Sequence, residues 1–186
     1  MSKSYNREER FVNIRRAVAA AVVVVAGAFV LPAGAANDVN PTDDWFIQTE
    51  ASGNAFEVQG GQLAMTHASS PVARAFGAKM IQDHSRGAAE VSAIARRLHL
   101  STAPKPDPAQ MWQLEQLSQE WGAQFDHDYI DLEKGDHVMD VQDAKRETTF
   151  GSNQLIKGYA KRWTPILKMH RDMADAAMSK LVESGL

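Results

Sequence analysis

From residue 43 onward, apolar side chains recur every third or fourth position. The runs break at Ser69-Ser70-Pro71, between Ser101 and Pro108, near Gly122, and at Gly151-Ser152-Asn153. That period marks amphipathic helices, and the breaks mark their ends. Asp43 or Asp44 is read as the cap of a first helix reaching about His67. Ser70 before Pro71 combines an N-cap with proline at the first helical position and opens a second helix to about His99. Asp107-Pro108 repeats the signal for a short helix from Met111 to about Glu120. A long helix follows from Ala123 to about Thr148, and a last one from about Asn153 to Val182. No stretch alternates strictly, as a half-buried strand does. The pattern predicts an all-α antiparallel four-helix bundle with a short extra connector helix.

Polar residues interrupt the apolar stripes near their midpoints. His84 is centred in Phe76, Met80, His84, Gly87, Val91, Ile94, Leu98, and His170 in Ile156, Tyr159, Trp163, Ile166, His170, Met173, Ala177, Leu181. The first helix places Glu50 and Glu57 on the stripe of Phe46, Gly53, Gly60 and Ala64, with small neighbours either side of Glu57. The fourth places Asp126, Tyr129, Ile130, Glu133, His137 and Val141 on one face, with Glu133 and His137 four apart and therefore adjacent. Each long helix thus contributes a nitrogen or oxygen ligand. Glu57, His84, His137 and His170 form a candidate site for iron, zinc, manganese or copper, with Glu133, Tyr129 and Asp126 as additional members. The plainer reading is a set of core histidines hydrogen-bonded to carboxylates. Register supports convergence of Glu57 with His84, which lie 12 and 15 residues from Ser69. His137 and His170, counted from Gly151, are offset by roughly 7 Å and need a tilt to meet. Methionines are read as core filler, the four tryptophans as core or rim, and His67, His99 and His127 as surface residues.

The first 35 residues have another character. Basic residues precede an uncharged apolar run, Ala17 to Leu31, followed by Ala33-Gly34-Ala35. That order is a signal peptide cut after Ala35, leaving 36–186 as the bundle domain. The competing reading is an uncleaved leader acting as a membrane anchor, but the run is shorter than the ~20 residues that span a bilayer. Arg15-Arg16 raises the twin-arginine route alongside the general one. Without the leader the chain has 15 basic and 21 acidic residues. A net charge near −6 makes nucleic acid and anionic lipid unsuitable partners, leaving an unidentified protein or a second copy. With no cysteine, there are neither disulfides nor thiolate ligands. No G-x-S-x-G elbow is present, so an activated serine hydrolase is not expected.

Several segments carry a family likeness: Phe56-Glu57-Val58 with Gly60, Ala68-Ser69-Ser70-Pro71-Val72, Phe76-Gly77, Met80-Ile81-Gln82-Asp83-His84-Ser85, Phe125-Asp126-His127-Asp128-Tyr129, Asp136-His137 and Pro165 to His170. Over about residues 43 to 180 the chain resembles the exported bacterial family of unknown function 4142. The resemblance implies a ferritin-like fold and export, and supplies no activity. The family's recurrent residues would fall on Glu57, His84, Asp126 with Tyr129, Asp136-His137 and His170. Ferritin-like di-iron proteins use Glu-x-x-His twice. Neither His84 nor His170 has a Glu three residues earlier, so a single-ion or altered site is expected rather than a dinuclear ferroxidase. The expected function is an exported periplasmic bundle that binds a transition metal in a stress or metal-handling role. If it is an enzyme, it is a metal-dependent oxidoreductase; the alternative is a non-catalytic structural or interaction module.

Overall fold

The computed structural model describes residues 38–185. The leader expected at 1–35 lies outside them. The elements are α1 (Pro41–His67), α2 (Pro71–Leu98), α3 (Pro108–Leu117), α4 (Gly122–Phe150) and α5 (Gln154–Glu183), with no strand among the described residues. The long helices form an antiparallel bundle: α1 packs chiefly on α2, α4 on α5, and the two hairpins meet along α1–α4 and α2–α5. The connector helix α3 lies against α1 and α4, held in part by Ser52 Oγ donating to Gln110 Oε1 at 2.6 Å. No described helix is long and apolar enough to cross a membrane.

The helix ends follow from capping chemistry. Ser70 and Asp107 cap α2 and α3, each ahead of a proline. The start of α1 is earlier than expected: Asn40 is the cap, accepting from the Thr42 and Asp43 backbone N–H groups, and Pro41 occupies the first turn. Asp43 is the third helical residue, and its Oδ2 accepts from Asn40 N to complete a capping box. Its carboxylate also reaches the α4–α5 turn, accepting from Ser152 N, Asn153 N and, at 2.7 Å, from Ser152 Oγ. Asp126 near the start of α4 does the reciprocal work at the α1–α2 turn, accepting from Ser69 Oγ at 2.5 Å and Ser70 N at 2.8 Å. Each hairpin's turn is therefore closed by an aspartate of the other hairpin.

Helices α1 and α2 approach closely where both carry glycine. A Cβ on Gly61 would lie 2.6 Å from the Gly77 carbonyl oxygen, and one on Gly77 would lie 2.6 Å from Ala64 Cβ. The apolar core falls into two clusters. One contains Phe76, Met80, Phe125, Ile130 and Leu181, the other Phe46, Ile47, Ile156, Tyr159 and Trp163. Along every long helix the polar midpoint residues come between these clusters in sequence. Of the tryptophans only Trp163 is core; Trp112 and Trp121 are 62% and 63% exposed, against expectation. Trp121 stacks on His67 with ring centroids 3.9 Å apart, which leaves that histidine half-buried rather than on the surface.

Candidate metal centre

Two devices bring the three histidines together. The second turn is centred on Ser152, because α4 runs to Phe150 and α5 starts at Gln154. His137 and His170 are then offset by three residues, about 4.5 Å, rather than five. Helical side chains also lean toward their own N-terminus. His170, farther from the turn, leans toward it, and His137 leans away, so the remaining offset closes. Glu57 and His84 flank Ser69 with the same three-residue offset.

The histidine nitrogens meet in a buried layer. His84 Nε2 is 3.3 Å from His170 Nδ1, and His137 Nε2 is 3.1 Å from the same atom. All three side chains are at most 3% exposed. The opposite nitrogen of each ring has its own anchor. His84 Nδ1 is 3.2 Å from Asn54 Oδ1, His137 Nδ1 is 2.7 Å from the Glu133 carbonyl, and His170 Nε2 is 2.9 Å from Asp83 Oδ2. Asn54 is oriented by its amide nitrogen, which donates to the Glu50 carbonyl at 2.6 Å and leaves Oδ1 to accept from His84. A neutral imidazole has one N–H and one lone pair. The anchors are all acceptors, so the network assigns each proton to the anchored nitrogen. The lone pairs of His84 Nε2, His137 Nε2 and His170 Nδ1 consequently face one another.

Electrostatics keep these rings neutral. Burial depresses the His137 imidazole to about 3, helped by the proximity of His170. Burial likewise takes His84 well below its ordinary value and lowers His170, the latter against the pull of Asp83. Burial alone would raise Asp83, but hydrogen bonds from His170 and Lys79 outweigh it and hold the carboxyl below its usual range. Asp83 is therefore an ionised acceptor, as the assigned His170 tautomer requires.

Glu57 stands beside this group rather than in it. Its Oε1 is 3.8 Å from His137 Nε2, and it clusters with Glu133 and His137 on one side and with Asp136 and Asp140 on the other. The single four-ligand point expected for Glu57, His84, His137 and His170 resolves into an imidazole trio and a carboxylate group that meet at His137. Neither oxygen of Glu57 or of Glu133 has a hydrogen-bond partner, although the residues are 1% and 0% exposed. Burial, reinforced by Glu133, pushes the Glu57 carboxyl well above its ordinary value, and burial pushes Glu133 to about 7. Gly60 makes the room: a Cβ there would lie 3.0 Å from Glu133 Oε1 and 3.4 Å from the Tyr129 ring.

Tyr129 lines this side with a buried hydroxyl that has no partner. Asp126 does not join the layer, because its carboxylate is committed to the α1–α2 turn two helical turns away. A ferritin-type pair of Glu-x-x-His ligand sets does not fit, since Ile81 and Leu167 stand three residues before His84 and His170. Four participants escape a search for polar residues on apolar stripes: Asn54, Asp83, Asp136 and Asp140. Asp136 and Asp140 are recoverable from spacing, because Glu133, Asp136, His137 and Asp140 follow the i, i+3, i+4, i+7 rhythm of one helix face. Asn54 and Asp83 leave no such signal. A cavity of about 10 Å³, room for about one water, lies among Thr49, Glu50, Gly53, Asn54, His84, Asp140 and Leu167.

A family model matches residues 28–177, most of the chain. The chain belongs to the DUF4142 family. That family is described as a domain of unknown function, so membership carries no chemistry. No curated protein and no solved structure matches this DUF4142 member.

Proposed function

We propose that this DUF4142 protein binds one divalent d-block cation through His84 Nε2, His137 Nε2 and His170 Nδ1, in a metal-handling role outside the cytoplasm. The observation that carries the reading is the facing of three lone pairs, each ring's proton being held on the far side by Asn54, the Glu133 carbonyl or Asp83. Neutral imidazoles have no proton to place between them, and a cation supplies the missing charge. Imidazole ligands at 2.0–2.1 Å in tetrahedral array stand ~3.3 Å apart, close to the 3.1 and 3.3 Å separations here. Three neutral nitrogens favour zinc or copper over manganese. The anchoring of each far nitrogen is the outer-shell arrangement that orients metal-bound histidine. Residues 1–35 are read as the export leader, which cell fractionation of the full chain and of a chain starting at Ala36 tests.

The alternative is a structural module in which the polar layer only fixes helix register. The two differ in linkage. A metal bound only by the folded state adds about 2.7 kcal/mol at a hundredfold excess over Kd. For a domain of this size that raises the melting midpoint by roughly 5–11 °C. Zinc or copper is expected to produce that shift in the wild type and none in His84→Ala. Equal midpoints with and without metal in both proteins would leave the register role standing alone.

A further inference from the structure

The carboxylate group beside the histidines has five buried oxygens without partners: both of Glu57, both of Glu133, and Asp136 Oδ2. No lysine or arginine among the described residues is ion-paired with Glu57, Glu133, Asp136 or Asp140, and His137 is the only basic group within 4.0 Å of either glutamate. An ionised carboxylate taken from water without compensation costs several kcal/mol, so such groups bind either protons or a cation. Protons shared between carboxyl pairs, with the Tyr129 hydroxyl donating to Glu133, are one way to engage these oxygens. One cation with four to six oxygen ligands satisfies the set together.

We propose that Glu57, Glu133, Asp136 and Asp140 form a second cation position, for a hard divalent ion such as Mn²⁺, next to the imidazole position. Glu57 is the common member, since its ligand atoms group with Glu133 and His137 and also with Asp136 and Asp140. His137 Nε2 belongs to the imidazole ion, so the second ion takes oxygens alone, and its preference runs opposite to that of the three histidines. The core then holds two unlike ions rather than a symmetric pair. One helix face, Glu133, Asp136, His137 and Asp140, supplies ligands to both positions. Asp140 is half-buried and borders the small cavity with Thr49 and Gly53. The proposal uses other atoms than the imidazole site and stands or falls separately from it.

The test loads the full chain with one equivalent of Zn²⁺ and titrates it with Mn²⁺, following free Mn²⁺ by its six-line electron paramagnetic resonance signal. Zinc-loaded wild type is expected to take up one Mn²⁺. Glu133→Gln is expected to keep its zinc and lose Mn²⁺ affinity by tenfold or more. His84→Ala is expected to lose zinc while still binding Mn²⁺, which separates failure of the imidazole site from failure of this one. Uptake of no Mn²⁺ by the wild type, or unchanged affinity in Glu133→Gln, overturns the proposal. Should Glu133→Gln fail to fold, paramagnetic broadening in the wild type decides. Loss of signals centred on Glu57 and Tyr129 supports the site, and broadening confined to surface acids refutes it.

Discussion

Asp83 touches no other ligand of the cluster, yet it determines which nitrogen of His170 is free. Removing the carboxylate in Asp83→Ala leaves the His170 proton without its anchor. Loss of such an outer-shell partner typically costs 10–100-fold in metal affinity. Competition against a chromophoric zinc chelator is expected to show that loss, with the helical circular dichroism spectrum retained because Asp83 sits at the edge of the layer. A second residue-scale prediction concerns Glu147. Its carboxyl is fully buried, has no donor, and lies beside the ionised Asp43; burial and that neighbour push it up to about 8. A group with a raised folded-state value binds its proton more tightly folded than unfolded. Its contribution is complete below about pH 4.5 and is lost as pH rises through about 8. Glu147→Gln keeps a neutral amide there at every pH. Urea melts at pH 5 and pH 9 are expected to show the wild type losing on the order of 2–4 kcal/mol more than the variant over that interval. Equal losses in both proteins would mean that Glu147 is not the proton-binding group. His84 and His170 are legible in the sequence because a lone polar residue centred in an apolar stripe must point into the core with the rest of that stripe, and His137 because it shares one helix face with Tyr129, Ile130, Glu133 and Val141. Asn54 is not, since its role depends on which way an amide is turned by Glu50.

At the scale of the element, the helices themselves are readable to within a few residues, because capping and proline placement are local. Asn40 escapes notice as the first cap because Asp43 carries the same chemical signal three residues later. The packing partners of each helix are less legible. Gly61 and Gly77 bear no hydrophobic signal, yet they set how near α1 comes to α2 and thereby how near Glu57 stands to the histidines. Gly77→Ala places a methyl group against Ala64 in a contact that must open. Overpacking of this kind costs typically 1–3 kcal/mol. Thermal unfolding is expected to show a loss of that size for Gly77→Ala. Gly135→Ala, where a new methyl meets nothing within 4 Å, is expected to be neutral or slightly stabilising.

At the scale of the whole molecule, the sequence shows a bundle but not how its halves hold each other. Asp43 and Asp126 read as a helix cap and a spare ligand, and each proves to close the turn of the opposite hairpin. The consequence is cooperativity. A hairpin built from α1 and α2 alone leaves the backbone N–H of Ser70 and the hydroxyl of Ser69 without their acceptor, and the α4–α5 hairpin lacks Asp43 in the same way. Neither half carries the means to finish its own reversal of direction. Calorimetry is expected to find one transition whose van't Hoff and calorimetric enthalpies agree, and separate peptides spanning 38–100 and 122–185 are expected to stay largely unstructured until mixed. The chain must then complete both turns in the same event, and the buried layer between them comes into being only when that event is over.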